Sequence, residues 1–511
     1  MKRYGIPAAI ASVILAFAAV WLGGLNEDEG WYLYAANLVA EGKTLYRDFA
    51  YTQGPLLPLV YSAFTGIWRN FGLLGARIFT LALGFASILF AVGTARTLAP
   101  PERKGEAGVI AFLLLGVNLY HLYYLAIPKT YALAALFVSA GFFLLSRFVT
   151  RARPDDAEMT LFDRELPALA GLALAFAAGA RISLGALLAV AGIFLLVNFR
   201  RYRSAFLYFG LAGAAGLFLI YGRYLLDPGA FAGLVAAQKY HAARGGFDVV
   251  FTVGSFSRLI RWYLPVFILL GLGVFRRGVR LAPAQLLLLL GFLSVFLVQM
   301  LAPFPYEDYQ VPIISLLAVF AVSLLLSDAP GAPHSALSTP HSALGERRAA
   351  LLTLGLAFAA AFSSPLLEKW MTNGQDRFWT RKKEKCELAQ LRDVAKVIEA
   401  IDPGGKTLFT QDLYLAIETN RKVPEGLEMG PFATMSDDDW RALIDRAECP
   451  VAALSGYTFA IEPPVCSERP MAKQMEYFSL LKRNYDCVFK EDDFGQNATT
   501  LLVLRRKEVA E

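Results

Sequence analysis

No cysteine precedes Cys386, histidine occurs only four times, and acidic and basic residues together make up 18% of the 511 residues. Each shortage excludes something. Before Cys386 the chain has no disulfide frame and no thiolate metal site. His334 and His341 stand in the Pro/Ser-rich stretch "APHSALSTPHSAL", and His241 has no partner at metal-ligand spacing, so these histidines define no metal centre. The net charge of +6 comes without a basic face on which a nucleic acid would rest. No small-residue cleavage site follows the first apolar run, so that run is expected to stay as an anchor rather than leave as a signal peptide.

What the chain has instead is hydrophobicity: 56% of its residues are apolar and the mean hydropathy is +0.45. Crossing a bilayer takes roughly 20 apolar residues, and such runs recur from residue 5 to about 365. About eleven satisfy that length: near 5–25, 75–95, 108–125, 131–149, 166–180, 183–198, 204–222, 256–275, 282–302, 311–327 and 349–365. The apolar stretch 54–71 contains Gly54, Pro55 and Pro58 and reads as an interfacial helix. With that assignment Lys2 and Arg3, Arg96 with Arg103 and Lys104, Arg147 to Arg153, Arg200 to Arg203, Arg276 to Arg280, and Arg347 with Arg348 share one side, as cytoplasmic loops require. The fold class is a polytopic α-helical membrane protein. Residues 1–365 form the transmembrane domain with an external loop at 26–74, and residues 366–511 a soluble α/β domain on the periplasmic or extracellular face. The N-terminus is expected in the cytoplasm, in a cell inner (plasma) membrane.

Residues 328–348 read as a flexible cytoplasmic loop. In the tail, "KEKCELAQLRDVAKVIEAI" has helical apolar spacing and stops at Pro403-Gly404-Gly405. Ser436 heads a helix with acids in its first turn. "KTLFT" and "VAAL" read as strands, a helix is expected around 468–484, and "CVFKE" and "TTLLVLRR" pair. All four cysteines (Cys386, Cys449, Cys466, Cys487) lie here, an even number in an oxidising compartment, which suggests one or two disulfides; buried free thiols are the alternative. The tail has no Gly-rich phosphate loop and no triad-like spacing, so a structural role or a lid fits it better than catalysis of its own. Asn497-Ala498-Thr499 matches a glycosylation sequon.

The stretch "NEDEGWYLYAANLVAEGKTLYRDFAYTQGPLLP" carries most of the chemistry. Glu27, Asp28 and Glu29 are consecutive just beyond the first span, ahead of Trp31, Tyr32 and Tyr34 at interface depth. Such acids cap a helix and favour its dipole; their mutual repulsion and partial burial also predict a raised pKa in at least one of them, as a general base needs. Asp48, beside Arg47, adds a second acidic site on the same loop.

These residues resemble the first external loop of the polyprenyl-phosphate-sugar-dependent glycosyltransferases of the GT-C class, the group that includes the protein O-mannosyltransferases and the aminoarabinose transferases of lipid A. The shared pattern is an Asp-Glu pair after the first span, a Tyr-containing helix and a Gly/Pro-rich return to the membrane. The resemblance implies a membrane glycosyltransferase acting with inversion on the external face. Its donor would be a polyprenyl-phosphate-linked sugar, and its acceptor a hydroxyl of a lipid, glycan or protein. Asp28 would be the base, with Glu29 as neighbour and Asp48 as a further catalytic acid. Where the aminoarabinose transferases carry Glu-Lys-Pro, this chain has Gln53-Gly54-Pro55, which points to a bacterial branch with other sugars and acceptors.

The departing phosphate needs cations, and the candidates on the same side are Lys129, Arg181, Arg258 and Arg261. A charge such as Arg181 between short apolar runs is either functional or snorkels to the interface. Tyr32, Gln53, Tyr306 and Tyr309 are candidate substrate contacts; Tyr306 and Tyr309 flank acids in "PFPYEDYQVP", which also reads as a solvated loop. No cofactor is implied beyond a possible divalent cation, and no nucleic-acid partner. A polytopic transporter or flippase is the alternative, although its binding residues would gather near the midplane on repeated, broken helices.

Overall fold

The computed structural model describes residues 2–151, 161–243, 246–277, 281–326, 355, 385–432, 435–456, 471–496 and 498–507. The stretch 328–348 with His334 and His341, the expected span 349–365 apart from residue 355, Cys466 and Asn497 lie outside the described residues.

The membrane part is helical. It comprises α1 (Lys2–Leu22), α2 (Glu27–Ala40), α3 (Leu56–Ser62), α4 (Thr65–Leu98), α5 (Lys104–Gly116), α6 (Leu119–Ala126), α7 (Thr130–Arg151), α8 (Leu161–Ala180), α9 (Gly185–Val197) and α10 (Phe199–Leu225). There follow α11 (Pro228–Ala243), α12 (Val249–Trp262), α13 (Leu264–Arg277), α14 (Pro283–Met300) and α15 (Ile314–Leu326). Five helices are long and apolar enough to cross a membrane, and two bent pairs, α5 with α6 at 68° and α12 with α13 at 83°, bring the total to 7. The shorter apolar helices Glu165–Ala180, Ile182–Val197 and Ile314–Leu326 account for the remaining expected spans among the described residues. Two expectations are refined: the spans near 108–125 and 256–275 are each divided, since α5 bends away from α6 and α12 turns sharply away from α13. The stretch 54–71 gives the seven-residue α3 and the start of α4; seven residues are too few to cross a bilayer.

Helix α2 has a local cause. Asn26 is its N-cap and accepts a hydrogen bond from Asp28 N, while the Glu29 carboxylate accepts from Asn26 N, a capping box. The following chain returns through Gly54, where the backbone lies against α8: a Cβ there would stand 2.2 Å from Gly179 O. Only glycine permits that approach.

The C-terminal part contains α16 (Glu387–Ile401), α17 (Leu413–Glu418), α18 (Asp437–Arg446) and α19 (Met471–Asn484). Its sheet runs β1 (Val451–Ser455), β3 (Thr499–Arg506), β2 (Tyr485–Phe494), antiparallel throughout. The pairing of "CVFKE" with "TTLLVLRR" is thus present, and Ser436 caps α18 by accepting from Asp439 N. "KTLFT" is reduced to isolated bridges, Thr407 with Lys422 and Phe409 with Ala452. Cys386, Cys449 and Cys487 are free thiols, so among the described residues no disulfide forms.

This part sits directly on α2. Gly30 meets α17 so closely that an added Cβ would lie 2.3 Å from Tyr414 N. Glu387 accepts from Leu25 N at 2.6 Å, Glu418 accepts from Leu73 N at 2.7 Å, and Tyr34 OH accepts from Val423 N at 3.0 Å. A Gly30→Ala variant is expected to lose about 1–3 kcal/mol of stability, the usual cost of overpacking, read as a lowered Tm and faster proteolysis between residues 385 and 432.

Candidate active site

Three consecutive carboxylates at the start of α2 go three ways, because successive residues on a helix point about 100° apart. Glu29 is fully buried and its carboxylate forms a bidentate pair with Arg77 of α4, at 2.7 Å to Nε and 2.6 Å to Nη2. The remaining donors of Arg77 reach Val20 O, Gly23 O and Gly24 O at 2.9–3.0 Å. Glu29 was expected beside the base as a catalytic partner; its oxygens are occupied by Arg77 and Asn26 N, and it is not presented to a substrate.

Glu27 turns to the C-terminal part. The Tyr414 hydroxyl lies 3.3 Å from Glu27 Oε1 and 3.1 Å from Asp412 Oδ1, and Ser455 also donates to Asp412. One phenolic proton cannot serve both carboxylates, and among the described residues Glu27 Oε2 is buried without a hydrogen-bond partner. Burial and the Asp412 charge push Glu27 well up, and burial pushes Asp412 up to about 6. The sign follows: with raised folded pKa values the contact is most stable at acidic pH, below the ordinary carboxylate range, and weakens as pH rises through about 6. Glu27→Gln is expected to flatten that dependence and raise Tm at pH 8 by a few degrees, roughly a 1 kcal/mol gain, measurable by thermal melts at pH 5, 6.5 and 8.

Asp28 faces a different part of the bundle, the turn between α6 and α7. Lys129 Nζ lies 2.6 Å from its Oδ2, and Trp31 Nε1 donates to Oδ1 at 3.1 Å. Lys129 follows α6 in the turn before α7 and is also 3.6 Å from Asp308, which accepts from the Tyr131 hydroxyl at 2.7 Å. Arg181, just past α8, lies between two rings, 4.9 Å from Tyr131 and 4.6 Å from Tyr309. Among the described residues it makes no ion pair; the two aromatic faces and a hydrogen bond to Tyr131 hold the cation there. Burial raises the Asp28 carboxyl, but the charge and hydrogen bond of Lys129, the Trp31 bond and the Arg181 charge outweigh it and hold Asp28 below its usual value. The raised carboxyl is therefore Glu27, pushed up by burial and by Asp412 ahead of its two sequence neighbours, and not Asp28. Lys129, although desolvated, is held above its usual value by Asp28 and Asp308.

Of the other candidates, Tyr32 is buried, stacked on Trp31 at 4.0 Å, and its phenol feels Asp28, Arg181 and Lys129. Tyr306 packs on Tyr309 and Phe251. Gln53 is half-buried, its carbonyl accepting from Tyr46 OH. Arg258 is held by Glu307 at 3.1 Å, on the short Glu307–Gln310 turn that carries Asp308, and Arg261 lies over the Trp262 ring. Asp48 is engaged elsewhere: it pairs with Arg47 at 2.9 Å, which also grips Asp227, and the Arg47 hydrogen bond lowers it to about 2.

A divalent cation does not fit this arrangement. The ammonium of Lys129 already stands between the two carboxylates, and the described residues hold no cluster of three or more His, Cys, Asp or Glu ligands.

No family model matches the chain, and no curated protein sequence does. Solved structures do. ArnT from Cupriavidus metallidurans bound to undecaprenyl phosphate is similar with a TM-score of 0.61 and 14% identity, over 98% of both chains. The Archaeoglobus fulgidus oligosaccharyltransferase tethered to an acceptor peptide is similar at 0.55 and 11%, over 96% of this chain and 73% of its own. The oligosaccharyltransferase AglB from the same organism, in complex with an inhibitory peptide and a dolichol-phosphate, is similar at 0.52 and 12%, over 98% of this chain and 74% of its own. The chain has the GT-C fold. In this GT-C fold the site unites four separate chain segments: the start of α2, the turn at Lys129 leading into α7, the segment after α8 and the Glu307–Gln310 turn.

Proposed function

We propose that the protein is an inverting membrane glycosyltransferase that moves a sugar from a polyprenyl-phosphate donor to an acceptor hydroxyl at the external face. The observation that carries this reading is the contact of Asp28 with Lys129, flanked by Arg181 between Tyr131 and Tyr309. A carboxylate and two cations converge where α2 meets the bundle, which is what a reaction creating a phosphate anion and releasing a proton requires. The fold shared with ArnT and AglB, solved with undecaprenyl phosphate and dolichol-phosphate, supports it.

The acceptor oxygen attacks the anomeric carbon on the face opposite the phosphate. The carbon–oxygen bond to phosphate breaks, its electron pair leaves with the polyprenyl phosphate, and the acceptor proton passes to the Asp28 carboxylate. Lys129 and Arg181 offset the charge gained by the phosphate. Lys129 is shared: an incoming phosphate competes with Asp28 for the ammonium, loosens that pair and makes the carboxylate more basic once the donor is in place. Tyr32, Tyr306 and Tyr309 line the approach. The C-terminal domain, 366–511, lies outside the membrane in this reading and covers α2.

The test uses the full chain in lipid nanodiscs with undecaprenyl-phosphate-linked hexose, pentose and aminopentose, and a soluble alcohol as acceptor. Mass spectrometry is expected to find undecaprenyl phosphate and the glycosylated alcohol with at least one donor. Donors that all stay intact, or that cross a bilayer unbroken, would remove the assignment.

A further inference from the structure

Arg77 has no part in the chemistry above, yet it is a fully buried arginine that makes hydrogen bonds to three pieces of chain. From α4 it binds the last turn of α1 through Val20 O, the connector through Gly23 O and Gly24 O, and α2 through both Glu29 oxygens. A planar guanidinium with its donors in a fixed fork sets direction as well as distance. Glu29 in turn accepts from Asn26 N, so the cap of α2 is fixed by the same carboxylate.

Asp28 is the residue between these fixed points. Its side chain has two partners, Trp31 in the next turn of the same helix and Lys129 across the cluster. The 2.6 Å approach to Lys129 therefore depends on where the start of α2 is held relative to the bundle. We infer that Arg77, acting through Glu29, is a positioning residue that sets Asp28 against Lys129 and the acceptor hydroxyl. This rests on Asp28 being the base of the transfer proposed above. Arg77 touches neither donor nor acceptor; a misplacement of about 1 Å in a reacting group is enough to cost on the order of 100-fold in rate.

Glu29→Gln and Arg77→Lys test this. The amide keeps an oxygen for Asn26 N but loses the charged fork; the lysine keeps the charge but cannot reach Glu29 and three carbonyls together. Each is purified in nanodiscs and checked by size-exclusion profile and Tm, then measured for undecaprenyl phosphate affinity and for steady-state release of undecaprenyl phosphate. For folded variants, kcat is expected to fall roughly 30- to 100-fold with undecaprenyl phosphate affinity unchanged within about threefold. The acid limb of the kcat profile is expected to move to higher pH, as Asp28 loses its alignment with Lys129. A folded variant with wild-type kcat and pH profile overturns the inference, and so does a loss of kcat that only follows the fraction of protein unfolded. Absence of release by the wild-type protein would instead overturn the transfer reaction itself, and this inference with it.

Discussion

Asp28→Asn is expected to lower glycosyl transfer by at least about 10³-fold, within the range that a positioned general base contributes. The amide has nearly the same shape, so its Oδ1 still accepts from Trp31. The capping box of Asn26 with Glu29 and the Arg77 pair do not involve the Asp28 side chain. The variant should therefore insert, keep its Tm within a few degrees and bind undecaprenyl phosphate. Binding should be at least as tight as in the wild type, because Lys129 no longer shares its charge with Asp28. Release of undecaprenyl phosphate from a cleavable donor, followed by mass spectrometry, gives the rate. A variant that still turns over at a tenth of the wild-type rate would place the proton acceptor elsewhere.

Lys129→Met has the second largest expected effect, a loss of roughly 100-fold or more in kcat/KM, comparable to removing one donor from a preorganised anion site. It acts in two places. The donor phosphate loses a cation, and Asp28 and Asp308 face each other without the ammonium at 2.6 Å and 3.6 Å that separates them. The pH sign is definite. Lys129 holds Asp28 below its ordinary value against the upward push of burial; without it burial dominates and the acid limb of activity moves to higher pH. Stability follows the same linkage. A depressed carboxylate stabilises above its unfolded pKa, and that contribution vanishes in the variant, which should lose more at neutral than at acidic pH. Thermal melts at pH 4.5 and 7.5 check this, and an unshifted acid limb would detach Lys129 from Asp28.

Much of the membrane part is readable from apolar run length, and α3 from its glycine and prolines, because these depend on local composition. The cluster is readable only as fragments. Asp28, Lys129, Arg181 and Tyr309 each stand out as polar residues at span boundaries, but that they meet depends on how helices pack, which no local pattern encodes. Arg77 is hidden by run length, since it lies inside the apolar run 75–95; a lone arginine in such a run is itself a signal, because a charge there needs a built partner. Adjacency also misled in the opposite direction. Glu27, Asp28 and Glu29 suggest mutual repulsion, whereas the 100° step of a helix sends each to a different neighbour, and Glu27 and Asp28 shift in opposite directions. The even cysteine number similarly said nothing about whether thiols meet.

That divergence at the start of α2 limits how the gene can drift. Deleting or inserting a single codon within the first turn of α2, at Glu27 to Glu29, would step the side chains beyond it by about 100°, a little over a quarter of a circle. Tyr414, Lys129 and Arg77 would then face the wrong carboxylate at once, and a compensating point change at any one of them would leave the other two mismatched. Length changes near Glu41 to Lys43, where the contacts are solvent-exposed, carry no such triple penalty. Insertions and deletions among descendants of this chain should therefore accumulate after α2 and be nearly absent from its first turn.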